Sequence, residues 1–155
     1  MADNLTREQR SLTMSRIRSR DTKVELMVRR ALHRRGHRYR VNAGWLPGKP
    51  DIVFSKVRLV VFIDGDFWHG WRFETWSDKL ASYWREKISG NLARDQRHEA
   101  ALRQGGWNVL RIWEHEVEGD LACCVARIER RLARIKLVST LRAKHVHPER
   151  RRTGE

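Results

Sequence analysis

Leu59-Val60-Val61-Phe62-Ile63-Asp64-Gly65-Asp66-Phe67-Trp68-His69 is the stretch on which the fold turns. Its first half is a continuous apolar, β-rich run, the pattern of a strand buried on both faces. The run breaks at Asp64-Gly65-Asp66, so carboxylates emerge where the strand ends, the place where open α/β sheets put their sites. Phe67, Trp68 and His69 follow at once. Two large aromatics on a charged, glycine-containing loop imply rings that insert into something. Upstream, Pro50-Asp51 heads a second apolar strand, Ile52-Val53-Phe54. If the two strands pair, Asp51 and Asp64 approach one another, and the chemistry sits there.

Working outward, the chain has 155 residues, enough for one domain with a real core, and carries a net charge of +14. So large an excess in one small domain favours a polyanionic partner, nucleic acid above all. No run approaches membrane-spanning length and no signal-peptide pattern opens the chain. Cys123 and Cys124 are adjacent and poorly placed to bond to each other, so a reducing cytoplasm is the expected setting.

Residues 1–20 are polar and basic, including Met14, Arg16 and Arg20. They read as an arm lying along phosphates, with a disordered terminus as the plain alternative. A helix follows from Asp21-Thr22, with Val24, Met27, Val28, Ala31 and Leu32 on one face and Gly36 as its stop. Thr22-x-x-Glu25 is a capping box, so Glu25 reads first as a cap. Tyr39-Arg40-Val41 reads as a first strand, and Pro47-Gly48-Lys49-Pro50 as a tight turn into the second. Asp78 is expected to cap a helix from Lys79 to about Gly90, and a second helical segment runs from Asn91 to Gln104 with Leu92, Asp95 and Glu99 on one face. Trp107 to Trp113 makes a fourth strand, and Leu121, Val125, Ile128, Leu132 and Ile135 an amphipathic C-terminal helix. The expected fold is therefore α/β, a central mixed four-stranded sheet flanked by helices in the order α-β-β-β-α-β-α. Residues 21–138 form the domain, and 139–155 a basic, frayed tail.

Hard oxygen ligands around Mg²⁺ suit phosphodiester cleavage, and Asp51 and Asp64 are their obvious suppliers. His69 is a general-base candidate, against the plain alternative of a loop histidine. Asp95 is placed to orient it from a helix covering the sheet.

These residues carry a resemblance. The chain resembles the very-short-patch-repair (Vsr) mismatch endonucleases, a branch of the PD-(D/E)xK nucleases, from the N-terminal arm to about residue 116. The match includes Met14, Arg20-Asp21-Thr22, Glu25, Leu46-Pro47-Gly48-Lys49-Pro50-Asp51, Phe67-Trp68-His69, Trp84, Glu86-Lys87-Ile88, Asn91, Arg94-Asp95 and Trp113-Glu114. Pro-Gly-x-Pro-Asp combined with Phe-Trp-His is its specific signature.

The resemblance implies an enzyme of the bacterial cytoplasm, associated with the nucleoid, that nicks one strand of double-stranded DNA beside the thymine of a T:G mismatch. It implies Mg²⁺, as two ions, held directly by Asp51 and the main-chain carbonyl of Ile63 and through water by Glu25 and Asp64. His69 paired to Asp95 would be the acid–base group. Glu25 thus gains a site role that can coexist with capping. Phe67, Trp68 and Trp84 would wedge into the duplex, where a mismatched step is cheap to unstack. Met14, Arg16, Arg20 and Lys49 would contact DNA, and mismatch-repair proteins would be partners of a monomer.

Family members usually hold a structural zinc near this loop, but here Asp66, Trp71 and Phe73 stand where sulfur or imidazole ligands are expected, with His115 after Trp113-Glu114. Asp66 and His115 alone cannot close a tetrahedral site, so zinc is doubtful and apolar packing by Trp71 and Phe73 is expected in its place. Two rivals are a homing- or restriction-type endonuclease of the same fold, and a non-catalytic DNA-binding module.

Overall fold

The computed structural model describes residues 6, 8, 9, 12 and 20–146, the last three by backbone alone. Met14 and Arg16, expected to grip DNA, lie outside the described residues, as do 147–155. The elements are α1 (Lys23–Arg34), β1 (Ile52–Phe54), β2 (Leu59–Asp64), the short α2 (Phe73–Trp76), α3 (Ser82–Gln104), β3 (Asn108–Trp113), α4 (Glu114–Gly119) and α5 (Leu121–Val146). Single-turn 3₁₀ segments occupy Ser55–Val57 and Ser77–Lys79.

The sheet has the order β1-β2-β3. β1 pairs antiparallel with β2, Ile52 opposite Val61, and β2 pairs parallel with β3, Phe62 opposite Arg111. All six residues of β2 are buried, as its unbroken apolar run requires of a central strand. Successive side chains point to opposite faces. Leu59, Val61, Ile63 and Ile112 therefore join α1 and α5 through Val28, Leu32, Ile128 and Leu132. Val60, Phe62 and Val109 instead meet Leu102 of α3. Full burial of each such aliphatic side chain contributes roughly 1.5–3 kcal/mol, so these two layers hold the sheet edge of the site rigid.

Of the four expected strands, the first is not formed as a strand among the described residues, and the sheet has three. Tyr39-Arg40-Val41 contributes one antiparallel bridge, in which Arg40 and Val53 exchange both backbone hydrogen bonds at 2.8 Å. Asn42 takes a left-handed φ of 51° and ends the extended run immediately afterwards. Nor do two helical segments meet at Gly90: α3 runs unbroken through it. Glycine in a helix interior costs about 1 kcal/mol, too little to interrupt a helix anchored by buried Ile88 and Leu102. Asp78 lies in the 3₁₀ turn, and Ala81 occupies the N-cap position of α3 without a side-chain cap. The tail expected from 139 onward is helical as far as Val146, the end of α5.

Candidate active site

β2 delivers Asp64 to the edge of a cleft of about 690 Å³, whose lining includes Glu25, Lys49, Asp51, Ile63, Asp64, Trp68 and His69. The sequence singled out all seven. Pro47-Gly48-Lys49-Pro50 makes the predicted tight turn, with Gly48 at φ 73° and Lys49 at φ 52°. A Cβ on Gly48 would lie 3.2 Å from the Phe62 ring and from His98, so only glycine lets the turn press against α3 at that φ. The turn leads into Asp51, whose backbone N–H donates to Val61 O at 3.1 Å. The Asp51 Oδ2 in turn accepts from the Ile63 N–H at 2.7 Å.

Burial pushes the Asp51 carboxyl up to about 7, and the nearby Glu25 and Asp64 charges add to that, against the opposing Ile63 hydrogen bond and Arg29 charge. Near neutral pH it is divided between its acid and its anion. Glu25 is the predicted cap: its N–H donates to Thr22 Oγ1 at 3.4 Å, and its Oε2 accepts from the Asp21 N–H at 2.7 Å. It also lines the cleft, and Arg29 Nη2 bonds it at 3.1 Å while Nη1 reaches Asp21 at 2.5 Å. Capping and proximity to Asp51 thus coincide in one side chain.

Asp64 is only 2 % exposed and is clamped by Arg111, Nε to Oδ2 at 2.6 Å and Nη2 to Oδ1 at 2.9 Å. The alternation of β3 explains the meeting. Arg111 shares the α3-facing side with Val109, lies over the Phe62 ring at 5.0 Å, and reaches Asp95 at 3.4 Å and Glu99 at 3.8 Å. Asp95 and Glu99, one turn apart on α3, therefore converge on a single guanidinium.

His69 Nδ1 lies 2.6 Å from Asp95 Oδ2 and 3.7 Å from Asp64 Oδ1. Burial pulls the imidazole pKa down, but the Asp95 hydrogen bond and the two carboxylate charges outweigh it, and the net shift is upward. Asp95 is held below its ordinary value, because its His69 bond and neighbouring cations overcome the effect of burial. The loop bearing His69 is pinned to α3. Asn91 Nδ2 donates to Trp68 O at 3.1 Å, and a Cβ on Gly70 (φ 66°) would lie 3.1 Å from Leu92.

Phe67, Trp68 and Trp84 stand together beside the cleft. Ring centroids lie 4.9 Å apart for Phe67–Trp68 and 5.9 Å for Trp68–Trp84, and Phe67 stacks on Trp76 at 5.7 Å. Phe67 is nevertheless 40 % exposed, so this aromatic group is a surface feature rather than core. Arg20 is exposed just ahead of α1.

Around the doubtful zinc position, Trp71 packs on Trp113 at 4.9 Å and on His115 at 4.8 Å, while His115 Nδ1 bonds Asp66 at 2.7 Å. Trp71 fills the space as expected; Phe73 packs instead edge-on against Trp76 at 5.3 Å. Among the described residues, no three His, Cys, Asp or Glu side chains are grouped to hold a metal ion.

Comparison with known proteins places the chain in a family. Residues 2–75 match the family model described as DNA mismatch endonuclease Vsr. The type II nicking enzyme V.XorIIP of Xanthomonas oryzae pv. oryzae is 45 % identical over 83 % of this chain and 95 % of its own length. The chain belongs to the Vsr family. The type II nicking enzyme V.NmeAIP of Neisseria meningitidis is 40 % identical over 88 % of this chain and 98 % of its own. The DNA mismatch endonuclease Vsr of Escherichia coli is 37 % identical over 77 % and 78 %. The chain is thus a DNA endonuclease, a phosphodiester hydrolase, of a mixed α/β fold consistent with the PD-(D/E)xK nucleases.

For this Vsr-family site, the sequence did not disclose Arg111 or Arg29 as partners of Asp64 and Glu25. The one available signal was a lone arginine interrupting the apolar strand Val109-Leu110-Arg111-Ile112. Lys87, Asn91, Arg94 and Glu114 also line the cleft. They belong to the matched family segments, but no role was read for them.

Proposed function

We propose that this endonuclease nicks one strand of duplex DNA beside the thymine of a T:G mismatch, using Mg²⁺. The observation that carries the reading is His69, paired with Asp95 at 2.6 Å and lining the same cleft as half-buried Asp51, on the loop that also bears Phe67 and Trp68. The names of the relatives support it: one acts on mismatched DNA, and the others are nicking enzymes.

The donor set fits a hard divalent cation. Asp51 is a half-buried carboxyl crowded by two other carboxylates, and its ionised form is favoured by a cation beside it. Mg²⁺ is held by one or two carboxylates plus waters and substrate phosphates, so the lack of a three-residue cluster is no obstacle. Asp51 and the Ile63 carbonyl are the proposed direct ligands, with Glu25 and Asp64 acting through water. Each Asp64 oxygen keeps a second lone pair while Arg111 fixes the carboxylate. The cation would supply charge stabilisation at the phosphate and the activation of water.

The chain's own residues do the rest. Asp95 accepts from His69 Nδ1–H and leaves Nε2 as the nitrogen that takes up or gives back a proton. Arg111 holds Asp64 and Asp95 at fixed separation, so the imidazole is oriented by two carboxylates that cannot swing apart. The Phe67, Trp68 and Trp84 rings unstack the weakly stacked mismatched step, Lys49 contacts the DNA, and Met14 with Arg16 and Arg20 of the basic arm grips it from the groove opposite the wedge.

End-labelled duplexes differing only in one T:G pair, incubated with Mg²⁺ and wild-type or Asp51→Ala protein, test the proposal. Nicking confined to the mismatched duplex and lost in the variant is the expected result. Equal cutting of both duplexes would assign the site to a nuclease indifferent to mismatches, and retained cutting by the variant would remove Asp51 from the chemistry.

A further inference from the structure

β2 has two ends, and the second also opens on a cleft. At the Leu59 end, about 17 Å from Asp64 at strand rise, lies a cavity of about 550 Å³. Its cationic lining is Lys56 and Arg58 from the β1–β2 connection and Arg131, Arg134 and Arg142 from α5; no carboxylate lines it. Five arginines elsewhere, Arg29, Arg35, Arg103, Arg111 and Arg127, each make an ion pair with a carboxylate. Among the described residues, the five cations of this cleft make none.

Their arrangement is built. Arg58 sits at φ 49° with Nη1 donating to Gly105 O at 3.1 Å and its guanidinium 6.0 Å from the Trp107 ring. A Cβ on Gly106 would come within 2.9 Å of that Nη1, so the glycine turn after α3 makes room for it. Along α5, positions 131, 134 and 142 fall on the cleft side and extend about 17 Å at helical rise. One DNA strand carries a phosphate about every 3.4 Å of axis, so this stripe sets three arginines along a length of about five phosphates, with Lys56 and Arg58 lining the same cleft from the β1–β2 connection. The apolar floor of Val57, Ile135 and Val138 contains no aromatic pocket of the kind that anchors a peptide.

We propose that this cleft is a second DNA-backbone site, which holds a duplex segment other than the one in the active-site cleft. The enzyme then bridges two stretches of DNA, and a cleft whose charge is all cationic grips backbone phosphates, which carry no sequence information. Four of the five cations are arginines, whose planar fork matches phosphate oxygens in pairs.

The test is the stoichiometry of 12-base-pair duplex bound by the full chain, by analytical ultracentrifugation without divalent cation so that nothing is cut. Wild type is expected to take up two duplexes, and Lys56→Gln/Arg134→Gln/Arg142→Gln one, with unchanged melting temperature and unchanged nicking in Mg²⁺. The charge-preserving Lys56→Arg/Arg134→Lys/Arg142→Lys variant should again take up two. For the second duplex in wild type, each phosphate contact should contribute about −0.9 to the slope of log K against log salt. A single duplex on wild type, or two on the glutamine variant, would overturn the proposal. Uptake of a polyglutamate peptide in place of the second duplex would assign the cleft to an acidic protein and overturn it equally.

Discussion

The two carboxylates that neighbouring strands deliver to the cleft are treated in opposite ways. At the entrance of β1, Asp51 has one backbone N–H for a partner and is pushed up to about 7 by burial and by like charges. At the exit of β2, Asp64 is more deeply buried yet clamped by both nitrogens of Arg111. One half of the cleft is short of positive charge; the other supplies its own. A site with an internal cation for every carboxylate would need no other, and a site with none would not hold together before one arrived. The asymmetry divides the labour: the Asp51 half receives a cation, and the Asp64–Arg111–Asp95 half holds the histidine.

The largest effect that tests this division is at Asp51. Asp51→Ala should abolish nicking, a loss of about 10³-fold or more, since cation stabilisation is worth several kcal/mol. His69→Ala should cost about 10²–10⁴-fold at saturating Mg²⁺, with duplex binding retained in a gel-shift assay. Equal losses of binding and cutting would show that the residue serves only the fold of the loop.

Next come the two partners of the histidine half, which should separate in sign. Asp95→Asn removes influences that raise the His69 pKa, so the rising limb of the pH–rate profile should move to lower pH as the rate falls. Arg111 depresses that pKa, so Arg111→Gln should move the limb to higher pH. Movement in the same direction for both would break the assignment of the limb to His69.

A smaller effect is on stability. The folded Asp51 pKa of about 7 lies above the ordinary 3.8, so the folded chain binds its proton the more tightly between those values. The associated stability is fully present below about pH 4 and is lost as pH rises through 7. Asp51→Asn should therefore raise the melting temperature at pH 8, by about 2–4 °C for each kcal/mol recovered, by less at pH 5, and change it little below about pH 4. The smallest is at Glu129, held at about 2 by hydrogen bonds to Arg35 and then His37, which ties α1 to α5 far from the cleft. Glu129→Ala should cost about 1 kcal/mol or less in urea unfolding and leave nicking unchanged.

Asp51 and its relation to Asp64 were legible because two apolar runs lie only four residues apart, and if such neighbours pair antiparallel, the start of one meets the end of the other. His69 and Asp95 were legible as candidates, the first from its loop and the second from a helix face. Arg111 was not, because its meaning depends on strand parity across a parallel crossover, which α3 and its connections hide from the linear chain. The absent first strand failed for a local reason, a left-handed Asn42 that no pattern of Tyr39-Arg40-Val41 announces. The unbroken α3 shows the reverse: a glycine that signals a stop is overruled by packing on either side of it.

The most direct measurement is the Mg²⁺ concentration giving half-maximal nicking at pH 6 and at pH 8. With Asp51 at about 7, roughly one eleventh of the carboxyl is ionised at the lower pH and ten elevenths at the higher, so the requirement should tighten about tenfold. A half-maximal concentration that does not change with pH would contradict Asp51 as the residue waiting for a cation.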